Sequence, residues 1–251
     1  MTKIINRNTA LITGGSHRIG KEMAIALAKK GYNVVIHYNN SKKASIDLKD
    51  FLQKQFGIES STISGDLFDK NSVKLIGEFM IKNFPNWNLL INNASIFNKS
   101  NFLNNLHDEF EKNLSIHLIS PVYLSHFFAS YVIKNKISNA QIINMIEKNT
   151  ARYDTINFYY LLTKKFLQEF TKMLALQIAP NVRVNGISPG YILPDKNDSK
   201  NDKIEKSKII PLQKIGDPKN IVQTLEFLLD NDFVNGQILS IDGGASLNHA
   251  G

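Results

Sequence analysis

Residues 9–31 are TALITGGSHRIGKEMAIALAKKG, and this stretch decides the fold. Its first five residues form a short apolar, β-prone run, whereas apolar residues within 19–30 recur at helical spacing and Gly31 ends the helix. Strand, glycine-rich turn and helix in this order direct the amides of the helix N-terminus towards a pyrophosphate. An ordinary loop is the alternative, because glycine is common in turns of every kind. The flanking strand and helix favour a phosphate-binding turn.

The rest of the chain alternates strand and helix patterns, which favours a parallel sheet covered by helices on both faces. Predicted strands lie at 9–13, 33–37, 59–64, 89–92, 141–146, 182–187 and 237–241. Predicted helices lie at 19–30, 42–56, 71–84, 108–134, 157–178 and 218–229, with a bend near Pro121 in the fourth. The expected fold is a Rossmann-type doubly wound α/β domain of about seven strands. One domain is expected over residues 1–251, with a mobile polar segment at 194–208.

Composition limits the chemistry and the expected location. The chain of 251 residues lacks cysteine, so neither a disulfide nor a cysteine-bound metal can form, and no metal site is predicted. The first strand begins near Thr9, which leaves no room for a signal peptide, and the expected location is the cytoplasm. The apolar stretch 116–133 is interrupted by His117, Pro121 and His126, which predicts a buried helix and not a membrane span.

The net charge of +8 raises nucleic acid as a partner. The lysines are dispersed along the chain, however, and the densest cluster, at 195–208, alternates signs. We therefore expect a solvated surface and neither a nucleic-acid nor a membrane partner. Some of the excess positive charge would attract anionic ligands.

Tyr160 and Lys164 form the clearest candidate for catalysis. They lie four residues apart in a predicted helix and therefore share one face. An ammonium beside a phenol favours the phenolate, so we expect Lys164 to lower the pKa of Tyr160. A Tyr-x-x-x-Lys match alone arises often by chance. The other candidate residues add weight because they follow the carboxyl ends of predicted strands, where ligands bind in such folds.

The chain resembles the short-chain dehydrogenase/reductase family along essentially its whole length. The motifs that carry the likeness are Thr13-Gly14 to Gly20, Gly65-Asp66, Asn92-Asn93-Ala94, Tyr160 with Lys164, Arg183-Val184-Asn185, Ser188-Pro189-Gly190 and Asp242-Gly243-Gly244. The resemblance implies a nicotinamide cofactor beside Asn93 and Ala94, with Asp66 near the adenine. It also implies that the backbone of Pro189 and Gly190 faces the nicotinamide. The implied assembly is a homotetramer, with a dimer as the alternative.

Departures from the general family pattern resemble one branch, the pteridine reductases and dihydromonapterin reductases. Arg18 replaces the usual third glycine of the turn, and Glu147 replaces the usual catalytic serine. Ser95 takes the place of the glycine that usually follows Asn-Asn-Ala, and Phe97 lies two residues further on. The pattern His37-Tyr38-x-x-Ser41 after the second strand matches the same branch.

Each departure suits a flat, nitrogen-rich pterin ring. Phe97 would stack on the ring, unless it is a core or interface aromatic. Arg18 would donate to cofactor phosphate and to pterin acceptors, unless it is a surface residue of the turn. Glu147 would accept hydrogen bonds from ring N–H groups or, when burial keeps it protonated, pass a proton to the ring. The alternative is that Glu147 points to solvent and Asn149 or Thr150 replaces the serine.

Two further positions differ from the family pattern. His117 stands where an asparagine that helps hold a proton-relay water is usual, with Asn113 as the nearby alternative. A histidine can hold such a water, and a packed helix histidine is the other interpretation. Pro194 stands where a threonine often contacts the cofactor carboxamide, so we expect that contact to be lost or supplied by backbone.

The segment after the second strand indicates NADPH. An NAD enzyme usually places an acidic side chain there, but residues 37–43 are HYNNSKK, with no acid before Asp47. Amide, hydroxyl and lysine groups suit a 2′-phosphate, and Arg18 can reach the same region.

We therefore expect an NADPH-dependent reductase of a dihydropterin, such as dihydromonapterin, dihydrobiopterin or dihydrofolate. A 3-oxoacyl-thioester or other ketone reductase is one alternative, and a non-catalytic cofactor-binding protein is another. The predicted catalytic residues are Tyr160, Lys164, Glu147 and His117, and the predicted substrate contacts are Arg18, Ser95, Phe97, Glu147 and Tyr160. The predicted cofactor contacts are Gly14, Ser16, His17, Arg18, Ile19, Gly20, Tyr38, Asn39, Asn40, Ser41, Asp66, Leu67, Asn93, Ala94, Ser95, Pro189, Gly190 and Ile192. The segment 194–208 would close over the substrate.

Overall fold

The computed structural model describes residues 7–98, 100, 102–103, 109–151, 153, 157–193 and 199–247. The strands are β1 (Thr9–Ile12), β2 (Asn33–Tyr38), β3 (Ser60–Ser64), β4 (Trp87–Asn92), β5 (Ala140–Met145), β6 (Val182–Pro189) and β7 (Ile238–Ile241). They form one sheet in the order β3-β2-β1-β4-β5-β6-β7, and every neighbouring pair is parallel. The strand order reverses between β1 and β4, which opens a crevice at the carboxyl ends of the strands.

Helices cover both faces of this sheet. They are α1 (Arg18–Lys29), α2 (Lys42–Phe56), α3 (Lys70–Asn83), α4 (Glu111–Leu114), α5 (Ser120–Asn135), α6 (Phe158–Gln177), α7 (Lys200–Lys208) and α8 (Pro218–Asp230). The predicted doubly wound parallel fold is confirmed, and each predicted strand boundary lies within two residues of the observed one. The central strands β1, β2, β4 and β5 are almost wholly buried, and their apolar runs are typical of a parallel sheet covered on both faces.

Two hydrophobic cores lie on opposite faces of the sheet. Ala10 and Ile12 of β1 pack in the core beneath α1, α2 and α8. Leu11, between them, points the other way into the core beneath α3, α5 and α6, because successive side chains of a strand alternate. Trp87 and Phe128 anchor this second core with ring centroids 5.0 Å apart. The cores hold the sheet rigidly, so that the site at its edge has a fixed frame.

The helix predicted at 108–134 contains a wider turn. A π-helical turn, Ser115–Ile119, separates α4 from α5, and Pro121 lies in the first turn of α5. Pro121 has no N–H to donate to the carbonyl four residues earlier, at His117, so the hydrogen-bond ladder is broken beside this turn. The irregularity thus lies just before the predicted bend at Pro121, and the predicted helix start, Asp108, lies outside the described residues. Such π turns often occur at functional sites.

The helix Glu111–Asn135 is long and apolar enough, by length and composition alone, to cross a membrane. Its α5 part nevertheless packs against α3 and β4. Leu124, Phe128 and Val132 of α5 are buried in the second core. This packing is the one expected of a core helix.

The segment predicted to be mobile and polar includes a helix that the sequence pattern did not predict, α7. Ser199 caps α7, because its hydroxyl accepts from the amide of Asp202 while the Asp202 carboxylate accepts from the amide of Ser199. The sequence pattern did not indicate this helix, because its charged residues alternate in sign and it lacks the broad apolar stripe that gives a helical period. Residues 194–198, which include Pro194, lie outside the described residues.

Candidate active site

The glycine turn after β1 packs tightly against the end of β4. Gly14 has a φ of +61°, and a Cβ there would lie 3.0 Å from the Cα of Ala94. A Cβ on Gly20 would lie 2.6 Å from the carbonyl of Gly14. Thr13 Oγ1 accepts from the amides of Asn93 and Ala94 at 2.9 and 3.0 Å. The two strand ends therefore form one fixed edge, and only glycine fits at these two positions of the turn.

His37 joins the glycine turn to the end of β3, a role that sequence reasoning missed. Its Nδ1 accepts from the amide of Gly14 at 3.2 Å, and its Nε2 lies 3.0 Å from the carbonyl of Gly65. The ring is buried, and burial lowers its pKa from 6.5 to about 4, so it is neutral at pH 7. The available signal was a histidine at the last positions of an apolar strand, but local patterns do not show which face such a side chain takes.

Arg18 adopts a backbone conformation that usually belongs to glycine. Its φ is +50°, in the left-handed region that costs other residues roughly 1–2 kcal/mol. The guanidinium reaches across the cleft and donates to the carbonyl of Leu193 at 3.3 Å. The turn therefore keeps the geometry of the family's third glycine, while the side chain extends over the mouth of the cleft.

A cleft of about 720 Å³ lies at the carboxyl ends of the strands. The predicted residues that line it are Gly14, His17, Arg18, Ile19, Gly20, Asn39, Asp66, Leu67, Asn93, Ala94, Ser95, Phe97, Glu147, Tyr160, Lys164, Pro189, Gly190 and Ile192. The predicted residues outside this lining are Ser16, Tyr38, Asn40, Ser41 and His117. Lining residues that the sequence analysis missed include Ile96, Ile116, Met145, Tyr191 and Leu193. Most of the predicted set therefore meets in one cleft, although the residues lie far apart along the chain.

Glu147 lies beside the phenol of Tyr160 inside the cleft. The Tyr160 hydroxyl donates to Glu147 Oε2 at 3.0 Å, and the amide of Asn149 donates to Oε1 at 3.3 Å. Thr150 instead directs its hydroxyl to the carbonyl of Glu147 and to Gln168, at 2.9 and 2.6 Å. In this geometry Glu147 is the hydrogen-bond partner of the phenol, whereas the Thr150 hydroxyl is directed elsewhere.

Burial controls the electrostatics of this pair. Burial raises the pKa of the Glu147 carboxyl, although the hydrogen bonds from Asn149 and Tyr160 oppose this shift. Burial, followed by the negative charge of Glu147, raises the pKa of the Tyr160 phenol well above 10. The prediction that Lys164 lowers the pKa of Tyr160 is therefore wrong for this arrangement. The physical reason is first the burial of the phenol and then its hydrogen bond to the carboxylate rather than to the ammonium.

Lys164 is fully enclosed behind Tyr160. Its Nζ donates to the carbonyl of Met145 at 2.8 Å and lies 5.8 Å from the centroid of the Tyr160 ring. Burial lowers the pKa of the ammonium from 10.5 to about 8, while the charge of Glu147 acts to raise it. Lys164 therefore carries its charge at pH 7 and loses it in mildly alkaline solution.

His117 lies behind the cleft wall in the π turn. Its Nε2 lies 2.9 Å from Ser95 Oγ, and its Nδ1 lies 3.1 Å from Thr163 Oγ1. Burial, and next the charge of Lys164, hold its pKa well below 6.5. Both ring nitrogens thus contact protein groups, which differs from the predicted role of holding a water. Asn113, the alternative for that role, directs its amide to the carbonyl of Glu109 at 2.7 Å.

Phe97 forms an aromatic wall of the cleft. Its side chain is 65% exposed, so it is not a core residue in this chain. The ring stands edge-on to Tyr160, with centroids 4.8 Å apart and an angle of 90° between the planes. An exposed aromatic face beside the phenol can accept a flat ligand ring.

Comparison with known proteins shows the family to which a chain with this site belongs. A family model described as enoyl-(acyl carrier protein) reductase matches residues 14–246. An oxidoreductase of unassigned function from Bacillus subtilis is 29% identical over 94% of this chain and 98% of its own length. The 3-oxoacyl-[acyl-carrier-protein] reductase of Staphylococcus aureus is 27% identical over 94% of this chain and 97% of its own. FolM alternative dihydrofolate reductase 1 of Brucella canis, complexed with NADP, superimposes with a TM-score of 0.90 at 25% identity, covering 100% and 98% of the two chains.

Proposed function

Since this chain belongs to the short-chain dehydrogenase/reductase family, we propose that it is an NADPH-dependent reductase of a dihydropterin, such as dihydromonapterin, dihydrobiopterin or dihydrofolate. The observation that carries the proposal is the carboxyl group of Glu147 against the phenol of Tyr160. The family pattern has a serine hydroxyl there. The similarity to the NADP-bound dihydrofolate reductase of Brucella canis supports the same substrate class.

The glycine turn supports the choice of a dinucleotide cofactor. Side chains are excluded at Gly14 and Gly20, so phosphate groups can approach the backbone at the N-terminus of α1. Arg18 and Asn39 both line the cleft and would donate to a 2′-phosphate. Tyr38, Asn40 and Ser41 lie next to Asn39 and add hydroxyl and amide groups without an acidic side chain. These donors fit NADPH better than NADH.

The proposed reaction reduces the double bond between N5 and C6 of the pterin. The bound cofactor supplies a hydride to C6, and a proton must reach N5. Glu147 would accept from the pterin's N–H groups and, when protonated, deliver that proton. Tyr160, kept protonated by burial, would donate to Glu147 through the existing hydrogen bond and so orient it, and solvent would return a proton to the Glu147 carboxylate after turnover. Lys164 would hold the cofactor ribose together with Tyr160.

Phe97 and α7 would complete the substrate site. The exposed ring of Phe97 would stack against one face of the pterin. Lys206 of α7 lies over the ring of Tyr191, 5.0 Å from its centroid, which joins the helix to the wall of the cleft. α7 would thus cover the bound substrate and exclude water, the role predicted for the segment 194–208.

A second candidate is reduction of a 3-oxoacyl thioester. It is favoured by the similarity to the Staphylococcus aureus reductase and by the description of the matching family model. The carboxylate of Glu147 opposes it, because a ketone gains negative charge on its oxygen during reduction and would be repelled.

The experiment that separates the two measures NADPH oxidation with 7,8-dihydrobiopterin and with an acetoacetyl thioester. Turnover of the dihydropterin supports the proposal, whereas turnover of the thioester alone contradicts it. The variant Y160F should lose turnover and keep NADPH binding, since its ring still packs between Phe97 and His117. A parent protein that binds NADPH and turns over neither substrate would support a non-catalytic role.

We also propose that the chain self-associates, as a homotetramer or dimer, through α5 and α6. Phe166, Met173 and Leu176 share an outer face of α6, and Met173 and Leu176 are 71% and 85% exposed. On α5, Tyr123 and Ile133 are 43% and 46% exposed. A second copy would bury both surfaces by two-fold symmetry.

Sedimentation of the parent and of M173E/L176E tests this surface. The double variant should have a smaller mass than the parent. The control L75E changes an exposed leucine of α3, 61% exposed, and should keep the parent's mass. A parent that sediments as a monomer would contradict self-association.

A further inference from the structure

One imidazole connects the three elements that build the substrate side of the cleft. His117 lies in the π turn before α5 and is 1% exposed. Its Nε2 meets the loop after β4 through Ser95 Oγ at 2.9 Å and the amide of Ile96 at 3.3 Å. Its Nδ1 meets Thr163 Oγ1 of α6 at 3.1 Å. No other contact described above joins these three elements through a single side chain.

The partners of His117 fix its tautomer. The amide of Ile96 can only donate, so Nε2 must accept and the ring proton of a neutral imidazole lies on Nδ1. The Nδ1–H group then donates to Thr163 Oγ1. That hydroxyl can accept because its own hydrogen is directed to the carbonyls of Tyr159 and Tyr160, each 2.9 Å away. A charged imidazolium would place an N–H group against the Ile96 amide, and burial of the ring also disfavours it.

The same contacts enclose the phenol of Tyr160. The rings of His117 and Phe97 both stand edge-on to Tyr160, with centroid distances of 5.2 and 4.8 Å. Ser95, which His117 holds, is also a hydrogen-bonding neighbour of the phenol and acts to lower its pKa. Thr163 lies next to Lys164 on α6, so the imidazole ties the aromatic wall to the helix that carries Tyr160 and Lys164.

We propose that His117 is a positioning residue: as a neutral Nδ1–H imidazole it holds the loop 95–97 against α6 and so sets the position of Phe97, beside Tyr160, in the cleft wall that would face the substrate ring. The proposal rests on the proposed function for the identity of that ring. The placement of the loop itself depends only on the hydrogen bonds of His117. Loss of these bonds should therefore weaken substrate binding more than cofactor binding.

Steady-state kinetics of H117N, T163V and T163S test the proposal. Asparagine is too short to reach Ser95 and Thr163 together, and valine keeps the shape of Thr163 without an acceptor for Nδ1–H. Both variants should raise the KM for the dihydropterin by about tenfold, the effect of losing roughly one hydrogen bond, while the Kd for NADPH changes less than about threefold. T163S restores the hydroxyl and should recover most of the parent KM. The control H126N changes the exposed histidine of α5 and should keep the parent KM.

Nitrogen NMR of ring-labelled histidine tests the tautomer without any turnover. The signal that H117N removes identifies His117, and at pH 7 it should show a protonated Nδ1 and a bare Nε2. An Nε2–H tautomer or an imidazolium would overturn the proposal. If H117N fails to fold, the signal of His117 can be assigned instead as the one that shifts in T163V. An unchanged KM in folded H117N and T163V would overturn it as well.

The dihydropterin assignment and the positioning role of His117 can be contradicted independently of each other. If the parent reduces only a ketone, the dihydropterin assignment fails, and the same variants are measured with that ketone. A KM increase there, together with the Nδ1–H tautomer, would still support the positioning role of His117.

Discussion

Tyr160 donates its phenolic hydrogen to Glu147 across 3.0 Å, although the two residues lie on different elements. Glu147 follows β5 and Tyr160 lies in the first turn of α6. Lys164 Nζ lies over the same ring, 5.8 Å from its centroid. Burial, and next the charge of Glu147, keeps the proton on the phenol, and the neighbouring ammonium of Lys164 has a pKa of about 8.

Replacing Glu147 by glutamine keeps the shape of the side chain and removes its ability to carry a proton. Turnover of the dihydropterin by E147Q should fall by about 100-fold, the usual contribution of a general acid or base. The measurement is kcat by NADPH oxidation. E147D retains the carboxyl group one methylene shorter and should keep more activity than E147Q. Equal kcat values for E147Q and the parent would contradict the proton role of Glu147.

The pKa of Lys164 predicts an alkaline limit to activity. Because the ammonium loses its proton near pH 8 in the folded protein, kcat/KM for NADPH should fall above about pH 8. The phenol of Tyr160, with its pKa well above 10, does not titrate in this range. Glu147 acts to raise the pKa of Lys164, so E147Q should move the alkaline limit to lower pH. A pH profile from 6 to 10 checks the direction, and a shift to higher pH would count against the assignment.

The lowered pKa of His37 predicts that the protein loses stability in mild acid. Its pKa is about 4 in the folded protein and near 6.5 in the unfolded chain, so between these pH values the unfolded chain binds more protons. The free energy of unfolding should therefore fall as pH drops from 6.5 to 4, by up to about 3 kcal/mol from this residue. Urea unfolding at pH 7 and 4.5 measures it.

H37Q should reduce that pH dependence and leave a smaller fall of the same sign from His117, whose pKa is also lowered. The exposed His126 is the matched control, and H126Q should keep the full pH dependence. If H37Q and the parent lost the same free energy between pH 7 and 4.5, His37 would not be the neutral bridge described.

We expect replacements of Arg18 to affect the free energy of unfolding and the affinity for NADPH differently. R18G relieves a strained φ of +50°, but glycine also gains entropy in the unfolded chain, so the free energy of unfolding should change by less than about 1 kcal/mol. Loss of the guanidinium should weaken NADPH binding by about tenfold. R18A loses the same donors and keeps the strain, so it should bind NADPH as weakly as R18G and unfold more easily. Unchanged NADPH affinity in both variants would exclude Arg18 from the phosphate site.

The sequence predicted the sheet and the glycine turn because both depend on local patterns. Residues 10–12 and 34–36 are short apolar runs typical of buried parallel strands, and the helical period after Gly20 is regular. Since parallel strands share one carboxyl edge, the order of elements alone brought Gly14, Asn93, Glu147 and Gly190 to one rim. The sequence did not predict α7, because its alternating charged residues show no apolar helical period, although Ser199 caps the helix.

The directions of side chains and the signs of pKa shifts were decided only by the tertiary structure. Spacing placed Lys164 one turn from Tyr160, but burial and the carboxylate of Glu147 made the phenol a weaker acid instead of a stronger one. Likewise, the partners of His37 and His117 lie on separate elements and are invisible to any local pattern. Desolvation and long-range hydrogen bonds depend on which atoms the folded chain buries together. The periodicity of residues along the chain does not predict these contacts.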